Sequence, residues 1–396
     1  MKILVHDYAG HPFQVQLSRE LARRGHEVCH AHAGALQTPR GELQRRPDDP
    51  ESFESVEVTM DPDYARHKYS FRRRRGMEVA YGKAAGALVR DWSPEVVLSS
   101  NTPTEAQSGI LEASREVGGR FLFWCQDFYS IAVDKLVRKK IPVLGGLVGS
   151  YYKRLERKQL QSSDHIVAIT EDFKPIMVDE FGVDADKISV IPNWAPLASV
   201  PSLTRENEWA SRHGLVGCFV FLYTGTLGMK HNPGLLVALA EEFRDEEVRV
   251  VVVSEGIGAD WLREEKERRS LGNLELLPYQ PFADLPQVLA TGDVLTGVLE
   301  AEAGIFSVPS KVLTYLCAGR PILLAVPPEN LASRIIRDEE AGVTVAPDDE
   351  SAYLAAARRL FEESEVAGEM ARRARAYAEK TFEIASIADR FESIIR

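Results

Sequence analysis

Cysteine is scarce. The four residues, Cys29, Cys125, Cys218 and Cys317, lie far apart, and no Cys-x-x-Cys pair exists. That spacing supports neither a zinc ribbon nor a redox motif. Four reduced thiols in a cytosolic protein are expected instead. Long apolar runs are missing too, so no membrane span is predicted from stretches of about 18 residues. The start, Met1-Lys2-Ile3-Leu4-Val5-His6-Asp7, is too short and turns polar too soon for a signal peptide. The turn after it, Asp7-Tyr8-Ala9-Gly10-His11-Pro12, is not Gly-x-Gly-x-x-Gly, which disfavours a nicotinamide dehydrogenase. No metal-spaced histidine cluster, internal repeat or low-complexity tract is evident. Positive charge is in deficit, with 48 Lys+Arg against 59 Asp+Glu, a formal charge of −11. That balance argues against general nucleic-acid binding.

What is present is length and alternation. At 396 residues, 44% hydrophobic and 27% charged, the chain reads as a soluble protein too long for one core. Apolar runs at Lys2–His6, Glu27–His32, Val56–Thr59, Glu95–Leu98, Arg120–Trp124, His165–Ile169 and Ile188–Ile191 alternate with helical patterns. The stretch 193–204 carries two prolines and breaks the pattern, as a linker does. Strands then resume at Phe219–Tyr223, Val248–Val253, Leu274–Leu277, Val294–Val298, Ile322–Ala325 and Val343–Val345. Such alternation predicts an α/β protein of two doubly wound, Rossmann-like domains facing a cleft, with ligands beyond the carboxyl ends of the strands. The expected division is 1–192, a linker at 193–204, 205–380, and a C-terminal helix in 381–396 packing back on the first domain.

Four segments could carry chemistry. In Pro309-Ser310-Lys311-Val312, proline bars helix, Ser310 is a candidate N-cap and Lys311 adds charge. The helix start is a possible phosphate site, or only a capped surface helix. In Tyr223-Thr224-Gly225-Thr226-Leu227-Gly228-Met229-Lys230-His231-Asn232-Pro233, two glycines let the backbone bend to a ligand, and Lys230 supplies a cation or is merely solvated. Gln126-Asp127 ends a strand, where Asp127 either orients a substrate or caps a helix. At the first turn, Gly10 permits close approach, and His11 is either a site residue or a helix start.

These segments resemble the retaining glycosyltransferases of family 4. The likeness is strongest to the bacterial subgroup whose loop reads Pro-Ser-Lys, which includes colanic-acid and O-antigen glycosyltransferases. The resemblance implies the GT-B fold and sugar transfer from a nucleotide sugar, UDP-linked rather than GDP-linked, without metal or other cofactor. It implies front-face attack, with a donor phosphate oxygen taking the acceptor proton. Asp127, Lys230 and Lys311 are then the catalytic candidates. Gly10, His11, Gly225, Thr226, Gly228, Tyr279, Pro309, Ser310, Lys311 and Val312 are the donor-binding ones, and Gln126 belongs to the acceptor side. Thr226 stands where an arginine is common. Tyr279 lies where the family holds the base, and either stacks on it or packs. The glutamate pair that many members carry is not reproduced, although Glu300 and Glu302 lie close. Ile191-Pro192-Asn193 matches a hinge segment of mainly structural character.

Charge is also uneven. Residues 66–75 carry six Lys/Arg and no acid, and 135–158 is basic around Ile141, Val143, Leu144, Leu147 and Val148. Such a surface suits an anionic membrane face and a lipid-linked acceptor, or is a solvated face. A cytoplasmic protein, peripheral on the inner membrane face, is expected. The rival readings are a nucleotide-sugar epimerase on the same plan, a transferase with a small soluble acceptor, and a non-catalytic sugar-nucleotide sensor.

Overall fold

The computed structural model describes residues 1–34, 41–67, 70–100, 102–140, 142–228, 231–301 and 309–396. It divides into two compact units, Met1–Asn193 with Ile384–Arg396, and Trp194–Glu383. In the first, seven parallel strands form one sheet: β1 Lys2–Asp7, β2 Glu27–Ala33, β3 Phe53–Val58, β4 Val96–Ser100, β5 Arg120–Cys125, β6 His165–Ala168 and β7 Ile188–Val190. Their order is β3-β2-β1-β4-β5-β6-β7. The order reverses between β1 and β4, the position where ligands bind in such sheets. Packed around the sheet are α1 Pro12–Arg23, α2 Phe71–Trp92, α3 Thr104–Glu116, α4 Tyr129–Lys140 and α5 Pro142–Ser162.

The C-terminal helix Ile384–Ile395 closes the first unit. Arg24 donates to Asp389 at 2.6 Å and Glu392 at 2.7 Å, and His26 meets Glu392 at 2.8 Å. Phe391 packs edge-on against the buried Trp124, ring centroids 4.8 Å apart. Apolar contact and ion pairing thus tie the same helix to α1 and to β5.

The second unit repeats the plan with six parallel strands: β8 Phe219–Thr224, β9 Val248–Val253, β10 Leu274–Leu277, β11 Val294–Val298, β12 Ile322–Ala325 and β13 Gly342–Val345. The order β10-β9-β8-β11-β12-β13 puts its reversal between β8 and β11. The run Val248–Val253 is almost wholly buried, as a β-branched central parallel strand covered on both faces should be. Around it lie α6 Gly234–Glu242, α7 Ile257–Arg269, α8 Lys311–Ala318 and α9 Glu350–Glu362, among others. The two doubly wound domains expected from the alternation are both present.

Local differences have local causes. β3 begins at Phe53, three residues before the expected start. After β6 the chain makes only a short helical turn, Phe173–Pro175, followed by a π-type turn at Ile176–Glu180. Helix α4 falls where the sequence pattern indicates only a basic run, because its first two amides are capped from another helix. The N–H groups of Tyr129 and Ser130 donate to Glu156 of α5, at 3.1 and 3.2 Å.

Candidate functional site

In the first unit, the loop leaving β1 is held by a buried carboxylate. Asp7 is fully buried. Its Oδ1 accepts from the N–H groups of Ala9 and Gly10 at 3.1 and 3.0 Å, and its Oδ2 accepts from His11 N–H. Gly10 has φ +77°, which a side chain would oppose. The His11 ring returns to Asp7 at 3.0 Å. Burial lowers the imidazole pKa, but the charge and hydrogen bond of Asp7, with the charge of Asp127, outweigh it and hold His11 above its ordinary value. Burial would raise Asp7, yet His11 keeps it below the usual carboxylate range. Asp7 and His11 thus each favour the charged form of the other. The sequence marks His11 and overlooks Asp7, which shapes the turn.

Asp127 lies on the turn between β5 and α4. It is exposed, between the buried Cys125 and Phe128. Glu156 takes the amides of Tyr129 and Ser130 at the start of α4. The charge of Asp127 reaches both His11 and Glu156, so three elements converge here. Gln126 accepts from Asn193 Nδ2 at 3.4 Å. Its own Nε2, and Asn193 Oδ1, are buried without a hydrogen-bond partner. The hinge segment therefore supplies a polar group to this end of the sheet, which its sequence alone does not reveal.

In the second unit, loops after β8 and β10 meet the start of α8. Gly225 has φ +104°, and a Cβ there would lie 3.3 Å from Lys311 Cε and 3.4 Å from its Nζ. The Lys311 ammonium sits 3.5 Å from the Tyr223 ring centroid. Tyr279 Oη and Thr226 Oγ1 are 2.6 Å apart, and Glu255 accepts from Tyr279 N–H at 3.4 Å. Gly228 N–H donates to His231 Nδ1 at 2.9 Å. Gly225, Thr226, Tyr279 and Lys311 thus form one group at the carboxyl end of the sheet. Sequence reasoning missed Glu255, whose loop carries no marked motif.

Ser310 departs from expectation. Its backbone is already helical, φ −57° and ψ −25°, and its side chain makes no capping bond. An N-cap needs extended backbone to turn its oxygen onto the first-turn amides. Here the turn is tightened from within: Val312 N–H donates to the Pro309 carbonyl and Leu313 N–H to that of Ser310, both at 3.1 Å. Val312 has its side chain in the core. Lys230 and Glu302 lie outside the described residues, as does the loop 302–308. Glu300 is exposed. Among the described residues no His, Cys, Asp or Glu group of three or more could hold a metal ion.

Comparison with known proteins decides the family. The model described as Glycosyltransferase Family 4 matches residues 13–198, and that described as Glycosyl transferases group 1 matches 218–363. The chain belongs to glycosyltransferase family 4. WcaI of Escherichia coli K12, a glycosyl transferase provisionally assigned to colanic acid biosynthesis, is 24% identical over 316 residues, 78% of this chain and 75% of WcaI. The fold of this glycosyltransferase is also that of Anabaena HepE, solved with UDP and glucose. That likeness has TM-score 0.73 at 14% identity, over 99% of this chain and 98% of HepE. Sucrose-phosphate synthase from Thermosynechococcus elongatus gives 0.72 at 14% identity, over 99% and 97% of the two chains.

The basic surface of the glycosyltransferase is more neutralised than its sequence suggests. Arg74 pairs with Glu78, Arg75 with Glu105, and Arg138 and Lys153 with Asp134. Arg72, Arg73, Arg154 and Lys158 remain exposed. Leu147 is 71% exposed and Tyr151, one turn on, 44%. Ile141 and the side chains of Val143 and Leu144 lie outside the described residues. No helix among the described residues is long and apolar enough to cross a membrane.

Proposed function

We propose that this glycosyltransferase moves a sugar, with retention, from a UDP-sugar to a hydroxyl of a lipid-linked saccharide. The observation that carries the donor half is Lys311 lying against Gly225 and over Tyr223. A lysine from one loop and a glycine turn from another form a cradle in which a diphosphate replaces the aromatic face as the partner of the ammonium. Charge develops on that diphosphate as the glycosidic bond breaks, and a fixed cation is worth most there. HepE, of the same fold, was solved with UDP and glucose, which supports UDP. Lys230, two residues beyond Gly228, is proposed to add a second cation. Tyr279 and Thr226 border the nucleoside end.

The acceptor half falls to the first unit. Asp127 orients the acceptor hydroxyl, and Gln126 and Asn193 offer hydrogen bonds to a sugar. His11, whose protonated form Asp7 favours, is proposed to meet negative charge on a substrate. The leaving phosphate takes the acceptor proton, so Asp127 need not be a nucleophile. Metal independence and retention rest on the family resemblance. A lipid-linked acceptor is supported by the exposed Leu147 and Tyr151, with Arg75 donating to Tyr151 Oη at 3.1 Å, and by the exposed Arg72, Arg73 and Arg154, basic and apolar groups suited to an anionic bilayer. WcaI, the relative assigned to colanic acid biosynthesis, fits an acceptor of this class.

The test is a panel of nucleotides and nucleotide sugars read by thermal shift, then by product analysis with lipid-linked and soluble saccharides. A ligand that binds only the folded state raises its apparent stability. UDP-sugar stabilisation and a glycoside of retained configuration are expected. A free epimer would show the epimerase instead, and donor binding without turnover a sensor.

A further inference from the structure

Glu156 is buried, 3% exposed. It comes from α5 yet makes its contacts at the start of α4. Its Oε1 accepts from Tyr129 N–H at 3.1 Å, and its Oε2 from Ser130 N–H at 3.2 Å and Ser130 Oγ at 2.5 Å. The residue two before Tyr129 is Asp127. A short turn thus joins the amides that Glu156 holds to the carboxylate placed at the reaction centre. On the other side of the turn, Cys125 Sγ donates to the Asp127 carbonyl at 3.4 Å, and Phe128 stacks on Phe181 with centroids 5.6 Å apart. The turn is held on both sides, and Glu156 brings an ionisable charge to it across a tertiary contact.

Capping alone does not need that charge. A serine or asparagine could satisfy the same amides, whereas a buried carboxylate beside a second acid is unfavourable. Burial first, then the charge of Asp127, push the Glu156 carboxyl up to about 7, against the lowering by Ser130. Its proton is therefore shared between states near neutral pH. Below the ordinary glutamate range both folded and unfolded chains hold that proton. Between there and about 7 the folded state alone retains it, so ionisation weakens the fold as pH rises. Such placement is typical of groups kept for function.

Resting on the proposed role of Asp127, we propose that Glu156 is a positioning residue: its charged carboxylate sets the start of α4 and, through it, the turn that presents Asp127. When ionised, Glu156 accepts all three hydrogen bonds and repels Asp127 toward the exposed side. When protonated, it must itself donate, to Ser130 Oγ, whose hydroxyl then turns away. Other groups also bear on this switch. Cys125 at the end of β5 feels the charges of both Glu156 and Asp127. Tyr129 of α4 hydrogen-bonds Glu78 of α2 at 3.4 Å. Glu105 of α3 faces Tyr152, one turn earlier on α5.

The experiment compares the pH dependence of kcat, at saturating donor, in the wild type, Glu156→Gln, Ser130→Ala and Asp127→Asn. Carboxyl carbon chemical shifts of glutamate-labelled protein report the Glu156 titration directly. Wild-type kcat should rise with pH through a one-proton step near 7. Glu156→Gln should lose the step and run about tenfold or more slower at pH 8, as expected when a reacting group is misplaced, with donor KM unchanged. Ser130→Ala should move the carboxyl titration up, and Asp127→Asn should move it down. Glutamine keeps an acceptor for the cap and removes the unfavourable charge, so folding is preserved, and a thermal melt verifies it. A wild-type pH step retained in Glu156→Gln, or a carboxyl titration unmoved by both neighbouring substitutions, overturns the inference. If Asp127→Asn transfers at the wild-type rate, the reading of Asp127 fails. If Asp127→Asn is slow while Glu156→Gln is normal, only the positioning role fails.

Discussion

Removal of the Lys311 ammonium is the most direct test of the donor cradle. Lys311→Met keeps the stem that packs against Gly225 and deletes only the charge. A phosphate oxygen about 4 Å from the ammonium, at an effective dielectric of about 20, is attracted by about 4 kcal/mol. Part of that is offset. The ammonium lies 3.5 Å from the Tyr223 ring centroid, and leaving such a contact costs about 0.5–2 kcal/mol. The difference, about 2–3.5 kcal/mol, matches the usual loss of one preorganised group at a developing anion. At 1.36 kcal/mol per tenfold, transfer should slow by about 30- to 400-fold. Initial rates of UDP release give kcat/KM, and calorimetry separates donor affinity from turnover. Transfer within threefold of wild type, in a variant with an unchanged melting temperature, would falsify the cradle.

Asp127→Asn should leave donor affinity intact and lower turnover by about 100-fold, the scale of a reacting group misplaced by about 1 Å; lost donor binding with normal turnover of bound donor would contradict it. Leu147→Asp with Tyr151→Asp should abolish flotation with anionic liposomes and spare donor hydrolysis. Reversing Arg72 and Arg73 should weaken flotation by about 1 kcal/mol per residue, more at low salt than at high; a wild-type protein that stays unbound at every salt refutes both. Glu392→Gln should destabilise the first unit by about 1.5–3 kcal/mol, the range for hydrogen bonds to a charged group. His26 and then Arg24 hold the Glu392 carboxyl below its ordinary range, against burial. Its contribution is thus full above about 4.3 and lost as pH falls through the lowered folded value. The gap in melting temperature between wild type and variant should close in acid, and a constant gap would show that charge is not the cause.

The strands were legible because each is its own signal. A run such as Val248–Val253 cannot remain exposed, and in a chain alternating with amphipathic helices it must be central in a parallel sheet. Helix α4 was not legible for the opposite reason. Its pattern is dominated by Lys135, Arg138, Lys139 and Lys140, and its starting amides are satisfied by Glu156, 26 and 27 positions away. Sequence rules for helix starts look for a cap within a turn of the helix, so a tertiary cap is invisible to them.

The same distinction separates the site residues that sequence could name from those it could not. Gly10, Gly225 and Lys311 stand in short motifs whose chemistry is local: a turn that needs positive φ, and a cation beside a helix start. Asp7, Asn193, Glu156 and Glu255 act on groups that folding brings to them. Asp7 fastens its own turn, and it also favours the charged form of His11. Asn193 matters because it reaches Gln126. Ser310 shows the converse error: a residue of ideal capping type whose backbone is helical and whose hydroxyl makes no cap. Composition nominates the groups that could meet a substrate. The carboxylates behind them, which set charge and position, are found by following each hydrogen bond to its source.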